Sequence, residues 1–195
     1  LVGSEMCIRD RSYGGFYAPR ASAFDDRITR CVSVAQFPAL RTNLHNSSFV
    51  AGLIWGLLNV ILFLFGWLID LMYTVKKGKG MAFFDTYFHR TGVKGVYSLL
   101  HYLRRIDLHP LAGKLTKDYL IIGGSKDTMS ARASIGKQMY LLKNAKSITA
   151  REITEKEQGA DHCNVGNQQA AMDTILLWLE MLDRRDETLL LSLIH

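Results

Sequence analysis

Hydrophobic and polar positions along the chain alternate between two kinds of pattern. Ile28–Phe37 (ITRCVSVAQF) is a nearly continuous apolar run with β-branched residues, ended by Pro38. A strand buried on both faces presents such a run. Asp118–Ile122 (DYLII) repeats the signal and is closed by Gly123-Gly124, while Ser147–Ile153 alternates well enough for a further strand. Helical spacings lie between them. Phe16, Ala18, Ala21 and Ala23 suit a short helix packed closely on a sheet. Thr128–Leu142 is spaced through Ile135, Met139 and Leu142, and Gln168–Leu182 through Ala171, Ile175, Leu176, Trp178 and Leu179. Strands that alternate with helices predict an α/β architecture with a largely parallel sheet. Two stretches interrupt that rhythm. Polar residues around Asn43–Ser48 predict a loop, and Phe49–Ile69 is almost wholly apolar, broken only by Asn59 and several glycines. Met81–Tyr102 follows as an aromatic, helical region.

The chain has 195 residues, 48% of them hydrophobic. That is enough for one ordinary domain with a real core. The composition excludes a collagen, a disulfide scaffold and a disordered tail. Lys and Arg number 24 against 18 Asp and Glu, a net charge of +6 from scattered residues with one short cluster, Lys76-Lys77-Gly78-Lys79. Charge of this size governs solubility and loose attraction to anions. No aromatic-and-basic ribonucleoprotein pattern, zinc-ligand spacing or phosphate-cradling loop is present, so no nucleic-acid partner and no metal are expected.

The two ends read differently. Leu1–Arg11 (LVGSEMCIRDR) and Leu191–His195 (LSLIH) match translations of a transposon-based sequencing adapter and its reverse complement. Residues 1–11, with Arg11 as a hybrid codon, and 191–195 are therefore expected to be adapter-derived, leaving Ser12–Leu190 as a gene fragment. Setting Cys7 aside leaves Cys31 and Cys163. So few cysteines point to a reducing, cytoplasmic setting.

Three local patterns carry chemistry. Ser12-Tyr13-Gly14-Gly15 is half of a nucleophile elbow, G-x-S-x-G, with Asp10 where the first glycine belongs. A helix-capping serine is the bland alternative. Gly123-Gly124-Ser125-Lys126-Asp127 follows a strand, where a carboxylate is well placed to orient a histidine or to cap the next helix. Gly159-Ala160-Asp161-His162-Cys163-Asn164-Val165-Gly166-Asn167 lies between a strand and the last helix. Asp161 is a competing acid there and Cys163 a competing thiol, but adjacent residues rarely converge on one metal. Together the three patterns run Ser…Asp…His, the chain order of α/β-hydrolases.

The segments SYGGFYAPRASAFDDRI, LTKDYLIIGGSKD and LLKNAKSITAREITEKEQGADHCNVGNQQAAMDTILLWLE resemble the α/β-hydrolases, in the group related to the fermentation-respiration switch esterase and 2,6-dihydroxypseudooxynicotine hydrolase. The resemblance implies the C-terminal half of that fold: residues 12–42 with the elbow, helix and following strand, a helical cap over 43–111, and 112–190 with the acid and histidine loops. It implies Ser12 as nucleophile, Asp127 as orienting acid, His162 as general base and the Tyr13 N–H as an oxyanion donor. It implies hydrolysis of an ester, amide or activated C–C bond of a small, hydrophobic acyl substrate, without metal or organic cofactor. The strand leading into the elbow, the earlier strands and the second oxyanion donor are expected to be missing, which would leave the fragment inactive.

Two other readings stay open. One is a hydrolase-fold binding protein without catalysis. The other uses the apolar segment 49–73 for membrane association. By length alone that segment is a transmembrane candidate, with Lys76, Lys77 and Lys79 as a positive flank. A single crossing would put Ser12 and Asp127 on opposite sides, and about 25 residues cannot make two spans of roughly 20 each. Hydrophobic cap helices are the expectation that follows.

Overall fold

The structure is a computed structural model, which describes residues 6–12, 14–35, 49–75, 82–128 and 133–194. It divides into two units, Leu1–Pro38 with Leu108–His195, and Ala39–Asp107.

In the first unit four strands form one parallel sheet in the order β1 (Met6–Arg11), β2 (Ile28–Val34), β3 (Asp118–Gly124), β4 (Ser147–Ile153). Side chains alternate across a strand, and here both sets find cover. Val32, Val34, Leu120, Ile122 and Ile153 face α6 (Gln168–Ile194), which returns Ala171, Ile175, Trp178 and Leu182 at three- and four-residue intervals. The opposite set, including Ser33, Tyr119 and Ile121, faces Pro19 of α1 (Gly14–Ser22) and Gln138 and Leu141 of α5 (Ala133–Leu141). Cover on both faces is why β2 and β3 read as continuous apolar runs rather than alternating ones.

A row of charge closes the N-terminal end of the sheet. Arg30, Asp118 and Ser147 are register partners on β2, β3 and β4. Arg30 pairs with Asp183 at 2.5 Å and Asp186 at 3.3 Å, and Arg185 donates to both oxygens of Asp118 at 2.9 Å. Burial pushes the Asp118 carboxyl up, but hydrogen bonds from Arg185 and Ser147 outweigh it and hold the group below its ordinary value.

Three sequence expectations need correction. A strand does lead into Ser12: β1 pairs with β2 from Met6↔Ile28 to Arg11↔Val34. The open edge of β2 supplies backbone partners to any extended segment beside it, whatever its side chains. Gly123-Gly124 belongs to β3 instead of closing it. The last helix runs on from Leu182 to Ile194, and as far as Asp186 the Arg30, Asp118 and Lys146 pairs hold its polar middle on the sheet. Phe37, Pro38 and the 43–48 loop lie outside the described residues.

The second unit is helical: α2 (Phe49–Val75), α3 (Ala82–Thr91) and α4 (Val96–Arg104). The apolar stretch and the aromatic region are thus one long helix and two short ones. Gly66 lets the Tyr97 ring close on α2, since a Cβ there would meet it at 2.1 Å. Asp70, the one charged residue of α2, accepts from the Tyr97 N–H at 2.9 Å. It thereby caps the start of α4, where Gly95 has no side chain to do so.

Candidate active site

Ser12, Asp127 and His162 each follow the C-terminal end of a parallel strand, β1, β3 and β4. Ligand sites of parallel α/β sheets collect at this edge.

Ser12 makes the turn from β1 into α1. Its N–H donates to the Val34 carbonyl at 2.9 Å, one rung beyond the strand, and its own carbonyl accepts from the Gly15 N–H at 3.0 Å. Its φ is +55°, in the left-handed region that non-glycine residues occupy only under constraint. The turn is crowded on one side: a Cβ on Gly14 would fall 2.0 Å from an Asp10 carboxylate oxygen. Asp10 therefore spreads its carboxylate over the one residue whose missing side chain makes room for it.

Asp127 sits in a turn that ties β3 to both β4 and the histidine loop. Ser125 N–H donates to the Ile153 carbonyl at 3.0 Å, Lys126 N–H to the Ala160 carbonyl at 2.9 Å, and Asp127 N–H to the Gly124 carbonyl at 3.2 Å. The turn approaches the loop so closely that a Cβ on Gly124 would lie 2.1 Å from the Ala160 oxygen. The Asp127 side chain is wholly buried.

The histidine loop holds its shape by internal hydrogen bonds. Asn164 Nδ2 donates to the Gly159 carbonyl at 2.7 Å and Asn167 Nδ2 to the Glu157 carbonyl at 2.8 Å. Gln158, Cys163 and Asn164 all have φ between +55° and +58°. These contacts aim His162 between the other two groups. Its Nδ1 lies 2.9 Å from Asp127 Oδ2 and its Nε2 2.8 Å from Ser12 Oγ. A carboxylate only accepts, so the imidazole proton sits on Nδ1 and Nε2 is left to accept from the serine hydroxyl.

The structure thus brings Ser12, His162 and Asp127 together. Tyr13, the expected oxyanion donor, lies outside the described residues. Asp161 is exposed and starts the short turn that carries His162, where its carbonyl accepts from Asn164 N–H. Cys163 is half-buried. Burial pushes its thiol up, with Ser12 and Arg11 pulling the other way. Among the described residues no group of three His, Cys, Asp or Glu is arranged to hold a metal. Sequence reasoning missed Gly124, Asn164 and Asn167. The doubled glycine at the end of β3 and the two asparagines after His162 were the available signals, since Asn favours turns and the left-handed region.

No protein-family model matches the chain, and no curated protein matches it in sequence. Solved structures do match its fold. Est1E from Butyrivibrio proteoclasticus is similar at a TM-score of 0.54 and 13% identity over 92% of this chain and 62% of its own. The α/β hydrolase GrgF from Penicillium sp. sh18 gives 0.51 and 13%, over 91% and 63%. An esterase of Pyrococcus furiosus gives 0.50 and 14%, over 92% and 52%. The chain spans less than two thirds of each. The fold is that of the α/β-hydrolases.

Proposed function

We propose that this α/β-hydrolase-fold chain carries the serine-hydrolase site of an esterase-like enzyme acting on a hydrophobic acyl substrate. One observation carries the reading: the unbroken hydrogen-bonded line from Ser12 Oγ through His162 to the buried carboxylate of Asp127. A serine hydroxyl is a weak nucleophile at its own pKa and needs an adjacent base. In this reading Ser12 Oγ attacks the acyl carbonyl as His162 Nε2 takes the hydroxyl proton. Asp127 holds the tautomer and stabilises the imidazolium. His162 returns the proton to the leaving group, and the acyl-enzyme is released when His162 draws a proton from water. Tyr13 N–H is assigned to the oxyanion. In this reading the chain as it stands turns over little, because Asp10 crowds the elbow.

The test is covalent labelling, which reads the nucleophile without full turnover. A fluorophosphonate probe is expected to label the chain at Ser12, with Ser12→Ala abolishing the label and His162→Ala slowing it to background. Asp127→Asn should leave the fold intact yet slow labelling by about 10³–10⁴, because the imidazole is held in the wrong tautomer. Labelling that survives Ser12→Ala and disappears with Cys163→Ala would move the chemistry to the thiol. No labelling in any variant, Asp10→Gly included, would favour a binding protein built on this fold.

A further inference from the structure

Helix α2 exposes eleven large apolar side chains between Leu53 and Val75. At 3.6 residues per turn they cover an arc of roughly 200°, with Leu57, Leu64 and Leu71 along its middle. The seam toward α4 carries Gly66 and Asp70. The single charged group of the helix is therefore spent inside the unit, and none is left on the arc. Exposed apolar surface on this scale marks a binding surface.

Charge says what binds it. Residues 39–107 hold eight Lys and Arg against three Asp and Glu, +5 of the chain's +6, while the rest holds sixteen against fifteen. The apolar arc and nearly all of the net positive charge thus belong to one unit. The sequence leaves α2 through Lys76-Lys77-Gly78-Lys79. A second copy of this unit would meet it as +5 against +5, whereas an anionic bilayer offers acyl chains to the arc and headgroups to the lysines.

The helix is not read as crossing that bilayer, because the chain would have to come back. Ser12 and Asp127 both hydrogen-bond to His162, so both lie on one side of any membrane. Among the described residues the α-helices between α2 and Asp127 are α3 and α4, of 10 and 9 residues, and each is about half of a span.

We propose that α2 docks the 39–107 unit on an anionic lipid surface, lying in the membrane plane with its apolar arc at the acyl boundary. The inference needs the meeting of Ser12, His162 and Asp127 but not their catalysis, so the labelling experiment and this one fail separately.

Flotation with phosphatidylcholine vesicles, with and without phosphatidylglycerol, tests it. The full chain is expected to float with the anionic vesicles and to lose affinity as salt rises. Leu57→Glu with Leu64→Glu, both at exposed positions, should abolish flotation while circular dichroism stays unchanged. Replacing Lys76, Lys77 and Lys79 with Gln should weaken anionic binding about a hundredfold, at close to fivefold per basic residue. Lipids brominated near the headgroup should quench Trp67 more than lipids brominated at the chain end. Any of four results would overturn the proposal: no vesicle binding, binding indifferent to the Glu substitutions, quenching deepest at the bilayer centre, or a stable dimer that the Glu substitutions convert to monomer.

Discussion

The backbone of Ser12 stores strain that its neighbours must maintain. A non-glycine residue in the left-handed region costs on the order of 1–3 kcal/mol, held here by the Val34 and Gly15 hydrogen bonds. Asp10 adds crowding to the same turn. Asp10→Gly is therefore expected to speed fluorophosphonate labelling of Ser12 by about tenfold or more, one factor of ten per 1.4 kcal/mol released; unchanged labelling would show that Asp10 is tolerated. Gly124 constrains the other half of the site. Gly124→Ala has to push back the Ala160 carbonyl and break the Lys126 hydrogen bond, which separates Asp127 from His162. Labelling should fall close to the level of Asp127→Asn while the far-ultraviolet circular dichroism spectrum is retained. At this scale the sequence singled out Ser12, Asp127 and His162, which the structure brings within hydrogen-bonding distance. It was illegible where the requirement is an absence. The hydrogen on Gly124 matters only through a carbonyl 36 residues away in the chain, and no local pattern announces such an approach.

Elements are held by two polar devices that sequence patterns miss because their partners are far apart in the chain. Asp70 caps α4 from α2, and losing a side-chain cap costs about 1 kcal/mol. Asp70→Ala should therefore accelerate hydrogen exchange at the Tyr97 amide several-fold, with exchange in the sheet unchanged. The charged clasp on α6 is expected to show itself through pH. The Asp118 carboxyl is held below its ordinary value in the folded chain, so its stabilisation is complete above the unfolded value near 4. That stabilisation is lost as pH falls from about 4 through the lower folded value. The urea midpoint should drop over that window in the native chain, and Asp118→Asn should flatten the drop. Trp178→Ala, which empties the centre of the α6 face and leaves Thr149 Oγ1 without the indole donor, should cost about 3–5 kcal/mol at any pH. Periodicity found α6 through its apolar stripe and stopped at Leu182, because from Asp183 to Asp186 ion pairs rather than apolar spacing keep the helix on the sheet.

At the scale of the whole molecule, the parallel sheet was legible because burial on both faces writes itself into continuous apolar runs. The edge strand β1 was not, because its pairing rests on backbone groups that every sequence shares. The division into two units has a consequence of its own. Between the end of β2 at Val34 and the start of β3 at Asp118 the chain inserts residues 39–107. Without them, residues 35–38 and 108–117 remain, fourteen in all. A parallel crossover needs a dozen or so. The sheet can therefore close with the insert removed, and a chain joined from 38 to 108 should keep Trp178 buried and its fluorescence blue-shifted. An insert that the scaffold can do without is free to be exchanged, lengthened or lost over evolutionary time, while the sheet edge that gathers Ser12, His162 and Asp127 stays as it is.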